Sequence, residues 1–226
     1  MDFIYTAFAV PLQALLVVLL LRGALRDYLI VFIYAVVYLL TSILEAIVIQ
    51  LGGKHTALYH SVYWTDEIVL DLLLFLMVIL LTLQATRESP MRAGIAKALS
   101  VIVLIALVLP FVAGSRPYFT VRWFQLTGQI LNFGGALMNL GLWTALIGSR
   151  RKNPQLLAVS TGVGVAVTGQ AIYYGLRLIT TYPVVRGISD VINLVTYIGA
   201  LGIWCWAFRP KPKARVAEQP RIATDP

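Results

Sequence analysis

Of the 226 residues, 59% are apolar and only 12% charged, and the mean hydropathy is +0.83; soluble domains carry roughly one-quarter charged residues and could not hide that much apolar surface. The net charge of +8 would suit nucleic acid, but the basic residues fall between long apolar runs instead of gathering on one patch. A membrane surface is the implied partner, and no nucleic acid is expected.

A helix needs about 20 apolar residues to cross a hydrocarbon core near 30 Å. Seven stretches reach that length, at about 3–21, 28–51, 64–84, 93–113, 119–147, 155–178 and 187–208. They predict an all-α fold: a polytopic membrane protein built as a seven-transmembrane-helix bundle over 1–208, with no room between spans for an extramembrane domain. The first run differs from a secretory signal, because Asp2 precedes it and its positive charges, Arg22 and Arg26, follow. That order suits an uncleaved anchor with its N-terminus outside.

The remaining segments between spans agree. Thirteen basic residues fall on one side, namely Arg22, Arg26, Arg87, Arg92, Lys97, Arg150, Arg151, Lys152, Arg209, Lys211, Lys213, Arg215 and Arg221. Five fall on the other: Lys54, Arg116, Arg122, Arg177 and Arg186. Cytoplasmic loops are the richer in lysine and arginine, so the C-terminus is expected in the cytoplasm. The segment 209–226 is rich in proline and charge and reads as a disordered basic cytoplasmic tail drawn to anionic lipid.

Ionisable groups inside hydrocarbon cost several kcal/mol unless paired or hydrated, so each is a functional candidate. In span two, Glu45 lies roughly 9 Å from the outer end at about 1.5 Å per residue. Span three opens with Asp66, Glu67 and Asp71, the last two four residues apart and therefore on one face. Arg122, Arg177 and Arg186 supply opposite charge near the same side, with Asp190 beside Arg186. Span five adds a stripe of helical period, Gln125, Gln129, Asn132 and Asn139. Span six adds Gln170, Tyr173 and Tyr174, and span seven Asn193, Thr196 and Tyr197.

These residues predict a polar, hydrated cavity open to the outside, with ion pairs across the bundle. The same groups could equally serve as interhelical hydrogen bonds and ion pairs alone. Carboxyl groups packed into neighbouring turns disfavour simultaneous ionisation, which suits proton exchange and a passive shared proton alike.

Glu45-Ala46-Ile47 with Leu51 is echoed by Gln170-Ala171-Ile172 with Leu176, and Thr65-Asp66, Ile68 and Leu70 by Ser189-Asp190, Ile192 and Leu194. Two copies of three spans around a single linking span would lie in the same orientation, as in parallel-repeat transporters. That architecture resembles the small sugar-transporter family of seven helices arranged three, one, three. The family's paired prolines have no counterpart, since only Pro11 and Pro110 lie within spans, and none of its substrate residues carries over. The stretch Tyr63-Trp64-Thr65-Asp66-Glu67 before a leucine-rich span, with the length and layout, also resembles small bacterial integral membrane proteins with no assigned function. That resemblance implies a multi-pass protein of the bacterial inner membrane and implies no activity.

Several chemistries lack their residues. No histidine lies in a span to hold haem, and span seven has no lysine for a retinal Schiff base, so no cofactor is expected. His55, His60, Asp66 and Glu67 follow no known metal-ligand spacing. There is no Gly-x-Ser-x-Gly or His-Glu-x-x-His sequence and no in-span nucleophile with a base, so no catalytic residue is assigned. Cys205, the single cysteine, allows no intrachain disulfide and reads as packing. Small residues such as Gly162 with Ala166, Gly164 with Thr168 and Gly128 with Asn132 predict close helix contacts. Tyr59, Tyr63, Trp64, Tyr118, Trp123, Trp143, Trp204 and Trp206 near span ends read as interfacial anchors.

Three functions remain in order. The first is binding, sensing or transport of a small polar solute or protons through the outer cavity. The second is a non-catalytic subunit or assembly factor working with a membrane-protein partner. The third, a lipid-acting enzyme, rests only on carboxylates and arginines near headgroup level.

Overall fold

The computed structural model describes residues 2–53, 56–90, 92–114, 118–148 and 153–210, and at 2–7 and 52 the backbone alone. Lys54, His55, Arg116, the basic run at 150–152 and the predicted tail beyond 210 lie outside the described residues. Seven α-helices run in chain order: α1 (Asp2–Leu21), α2 (Leu29–Gly52), α3 (Ala57–Ala85), α4 (Arg92–Ala113), α5 (Val121–Gly148), α6 (Pro154–Ile179) and α7 (Pro183–Ala207).

Six of them, α2 to α7, are long and apolar enough to cross a membrane, while α1 contributes the shorter apolar stretch Phe8–Leu21. The outward faces carry exposed leucine, valine and phenylalanine, among them Leu104, Val112, Leu140 and Val195. Water would not tolerate such a surface, whereas lipid does. The fold is a multi-pass helical membrane bundle.

Helix starts follow capping chemistry more closely than hydropathy. α3 begins seven residues before the predicted position 64, because the Thr56 hydroxyl accepts the Tyr59 backbone N–H at 3.2 Å and closes the first turn. α7 begins four residues early, at Pro183, whose fixed φ suits the first helical position. At α6, Asn153 accepts the Leu156 N–H at 3.0 Å ahead of Pro154. The roughly two extra turns of α3 make Tyr59 and Tyr63 helical residues with a defined facing.

Packing closes six helices into a ring, α1 to α2 to α3 to α5 to α6 to α7 and back to α1, with α3 also touching α6 across it. α4 stands outside, seated on α3 and α5 through Phe75, Ile79, Leu99, Ala106 and Leu131. Exchanging α1, α2 and α3 for α5, α6 and α7 maps the ring contacts onto themselves: α1 on α2 becomes α5 on α6, and α3 on α5 becomes α7 on α1. This is the contact scheme that two three-helix units and a linking helix would produce.

α6 owes its central place to small residues. At Gly162 a side-chain carbon would collide with the Trp204 indole, which instead lies flush on the helix and donates to the Val159 carbonyl at 3.1 Å. Trp204 is 0% exposed and meets the Tyr34 ring edge-on at 5.7 Å between centroids. The expectation that Trp204 is an interfacial anchor is therefore corrected. Trp64 and Trp123 are buried as well, because position near a helix end does not say which way the side chain points.

Candidate functional site

The connections place the C-terminal ends of α2, α4 and α6 and the N-terminal ends of α3, α5 and α7 at one end of the bundle. There a cavity of about 320 Å³ opens between α2, α3, α6 and α7. Tyr38, Ser42 and Glu45 reach it from α2; Tyr59, Tyr63, Asp66, Glu67 and Leu70 from α3; Tyr173 and Arg177 from α6; Asp190, Asn193 and Leu194 from α7. Each set recurs at three or four residues, the spacing that aligns side chains on one helical face.

Charge is unevenly distributed. Among the described residues, four carboxyl groups, those of Glu45, Asp66, Glu67 and Asp190, line the cavity with one guanidinium, that of Arg177. Arg177 is already engaged: its Nη2 lies 2.6 Å from Asp190 Oδ1, and the guanidinium sits 4.5 Å from the centre of the Tyr173 ring. The Tyr63 and Tyr173 hydroxyls meet at 3.3 Å. Asp66 Oδ1 is shielded from solvent and has no hydrogen-bond partner among the described residues.

A second polar layer lies beneath the cavity. The Tyr174 hydroxyl donates to Glu67 Oε2 at 2.8 Å, and the Asn132 amide donates to Asp71 Oδ1 at 2.6 Å and to the Gly128 carbonyl at 2.9 Å. Gly128 makes this layer possible, since a Cβ there would lie 2.6 Å from the Tyr174 ring and 2.8 Å from Asp71 Oδ2. Asp71, Asn132 and Tyr174 are each 1% exposed. On the opposite wall Tyr38 stacks on Tyr197 at 4.5 Å, and the buried Gln13 amide donates to the Tyr197 hydroxyl at 2.7 Å.

The structure thus brings Glu45, Asp66, Glu67, Arg177, Asp190 and Asn193 onto one cavity, and holds Asp71 and Asn132 just below it. It separates the others. Arg122 is exposed in a different groove beside Gly114, Trp123 and Leu178, so its expected pairing across the bundle gives way to a position outside the ring. Arg186 is also exposed. Gln129 packs beside Gly175, and neither Gln125, Gln129 nor Gln170 lines the cavity. Asn139, on the same stripe of α5, faces a separate groove of about 410 Å³ shared with Trp143, Gly164, Thr168 and Thr196. A stripe about four turns long spans more depth than one cavity, and a helix in a ring turns its flanks to two different neighbours.

Sequence reasoning missed Gln13, Tyr38 and Ser42. Gln13 stands alone in an apolar run, and a lone polar group buried in such a run was the available signal. Tyr38 carries no signal by itself, because tyrosine serves both core and belt.

Among the described residues no group of three histidine, cysteine, aspartate or glutamate side chains could hold a metal ion. The site offers acceptor oxygens, aromatic faces and tyrosine hydroxyls. Those groups hydrogen-bond a polar solute, attract positive charge and exchange protons. No protein-family model, curated protein or solved structure matches this chain.

Proposed function

We propose that this is a seven-span membrane protein whose cavity binds a small polar solute, or protons, for sensing or transport. The observation that carries this reading is the convergence of polar side chains from four helices on one cavity of about 320 Å³, within the range of about 300–1,000 Å³ usual for ligand pockets. A bundle needing only interhelical ties would close such a space with apolar side chains. On the charge distribution the N-terminus and the cavity mouth face outside, and the C-terminus faces the cytoplasm.

The test is thermal unfolding of the purified protein in detergent against a panel of amino acids, sugars, amines and carboxylates. A ligand of the folded state raises the midpoint in proportion to its occupancy. At least one class should do so, and Glu45→Gln should remove the response. A panel that leaves the midpoint unmoved throughout would reject the reading.

A second reading, a subunit seated against another membrane protein, is favoured by the groove between α5, α6 and α7. Asn139 Oδ1 and Trp143 Nε1 line that groove, shielded and without partners among the described residues. A neighbouring helix could lie along the groove that these residues line. Native extraction that returns only single copies of this chain would count against it.

A further inference from the structure

We propose that Asp71 is a proton-binding carboxyl, exchanging its proton with the cavity through the Tyr174 hydroxyl and the Glu67 carboxyl. The proposal rests on reading the cavity as a site for a solute or protons, and it names the seat of the proton. Asp71 follows Glu67 by one turn of α3 and is 1% exposed. Glu67 lines the cavity, so three polar side chains lead from the open space to a sealed layer.

That layer is short of hydrogen. The Asn132 amide is fully engaged, by Asp71 Oδ1 at 2.6 Å and by the Gly128 carbonyl at 2.9 Å. The single hydrogen of the Tyr174 hydroxyl goes to Glu67 Oε2 at 2.8 Å, although Tyr174 also faces Asp71. Asp71 Oδ2 and Asn132 Oδ1 are left shielded from solvent without a hydrogen-bond partner among the described residues, and both residues are 1% exposed. Buried acceptors of that kind call for a donor.

A proton is the ligand that fits. Neither oxygen presents surface to a molecule arriving from the cavity. A carbon placed on Gly128 would stand 2.6 Å from the Tyr174 ring and 2.8 Å from Asp71 Oδ2, so that side of the layer has no room for a water molecule. A proton needs no such room, because it travels along hydrogen bonds. On Asp71 Oδ2 it turns the acceptor into a donor toward the Tyr174 oxygen and removes the charge of a sealed carboxylate.

Transfer follows the chain. The Asp71 O–H breaks as its proton joins the Tyr174 oxygen, the Tyr174 O–H breaks as its proton joins Glu67, and Glu67 releases that proton to water entering the cavity. The tyrosine is restored, and Asp71 is left a carboxylate held by the Asn132 amide. The groups facing Asp71 are Glu67 on its own helix, Asn132 on α5 and Tyr174 on α6. Glu67 in turn faces Tyr63 and Arg177. α4 meets α3 through apolar side chains, and α2 carries Tyr38 and Glu45 to the cavity above.

The experiment is infrared spectroscopy of the purified full chain at neutral pH. The wild type should show a protonated-carboxyl carbonyl band that Asp71→Asn removes. Aspartate labelled with heavy carbon at its side-chain carboxyl should move the same band to lower frequency, a readout that needs no substitution. In heavy water the band should shift as deuterium replaces the proton, and Tyr174→Phe and Glu67→Gln should each slow that shift tenfold or more.

A spectrum without such a band, a band untouched by the label, or one that survives Asp71→Asn would each overturn the site. Exchange at the wild-type rate in Tyr174→Phe would overturn the route. The readout needs no solute, so its failure leaves the solute reading to the thermal panel, and a silent panel leaves the infrared band standing.

Discussion

The Asn132 side-chain amide donates to Asp71 Oδ1 at 2.6 Å, tying α5 to α3 where both residues are 1% exposed. A buried acceptor stripped of its donor keeps its desolvation penalty. Asn132→Ala should therefore cost about 1–3 kcal/mol in unfolding free energy. Double-mutant cycles inside membranes average nearer about 0.6 kcal/mol, so a cycle with Asp71→Ala should return a coupling between those figures. Strict additivity of the two single changes, measured by denaturant unfolding in mixed micelles, would mean the bond contributes nothing.

Gly128 is the close-approach point of the same layer, with the Tyr174 ring 2.6 Å from where its Cβ would stand. Gly128→Ala should cost about 1–3 kcal/mol through overpacking. Gly141 on the same helix has nothing within 4 Å of that position, and Gly141→Ala should change stability by less than about 0.5 kcal/mol. Equal midpoints for the two variants would refute the packing argument.

Trp204 fills the gap that Gly162 leaves in α6. Trp204→Ala should cost about 3–5 kcal/mol from the cavity it opens. Trp204→Phe gives up chiefly the bond to the Val159 carbonyl and should cost about 1–2 kcal/mol beyond the smaller volume. An interfacial anchor would show neither loss, so unfolding of the two variants separates core from belt.

The proposed orientation is open to a labelling test, because Cys205 is the only cysteine. In a Cys205→Ser background, Thr181→Cys in the α6–α7 connection should react with a membrane-impermeant maleimide in intact cells. Glu88→Cys in the α3–α4 connection should react only after the membrane is opened. The reverse pattern would turn the bundle over and point the cavity to the cytoplasm.

The helices were legible because the pressure to satisfy backbone hydrogen bonds in lipid leaves long apolar runs in the sequence. The carboxylates of span three were legible for the opposite reason: charge in such a run stands out. What stayed hidden was partnership. Arg122 and Arg177 look alike as basic residues near the same end, yet one lies exposed in an outer groove and the other reaches into the cavity to Asp190. Gln129 and Asn132 stand three apart on one stripe, and only the second meets Asp71. Residues three apart on a helix face about 60° apart, a difference that decides such matters, and helix boundaries and crossing angles set it.

By itself the sequence determined a helical membrane protein, the approximate limits of its spans and the end at which its buried charges collect, since each depends on local composition and on a solvent that forbids open backbone. Tertiary structure alone decided that α4 stands outside a ring of six, that Trp204 and Gln13 are interior, and that a polar, tyrosine-walled cavity forms between α2, α3, α6 and α7. Those features arise from which helix faces meet, and close packing of glycine against aromatic side chains settles that only when all the helices are present together.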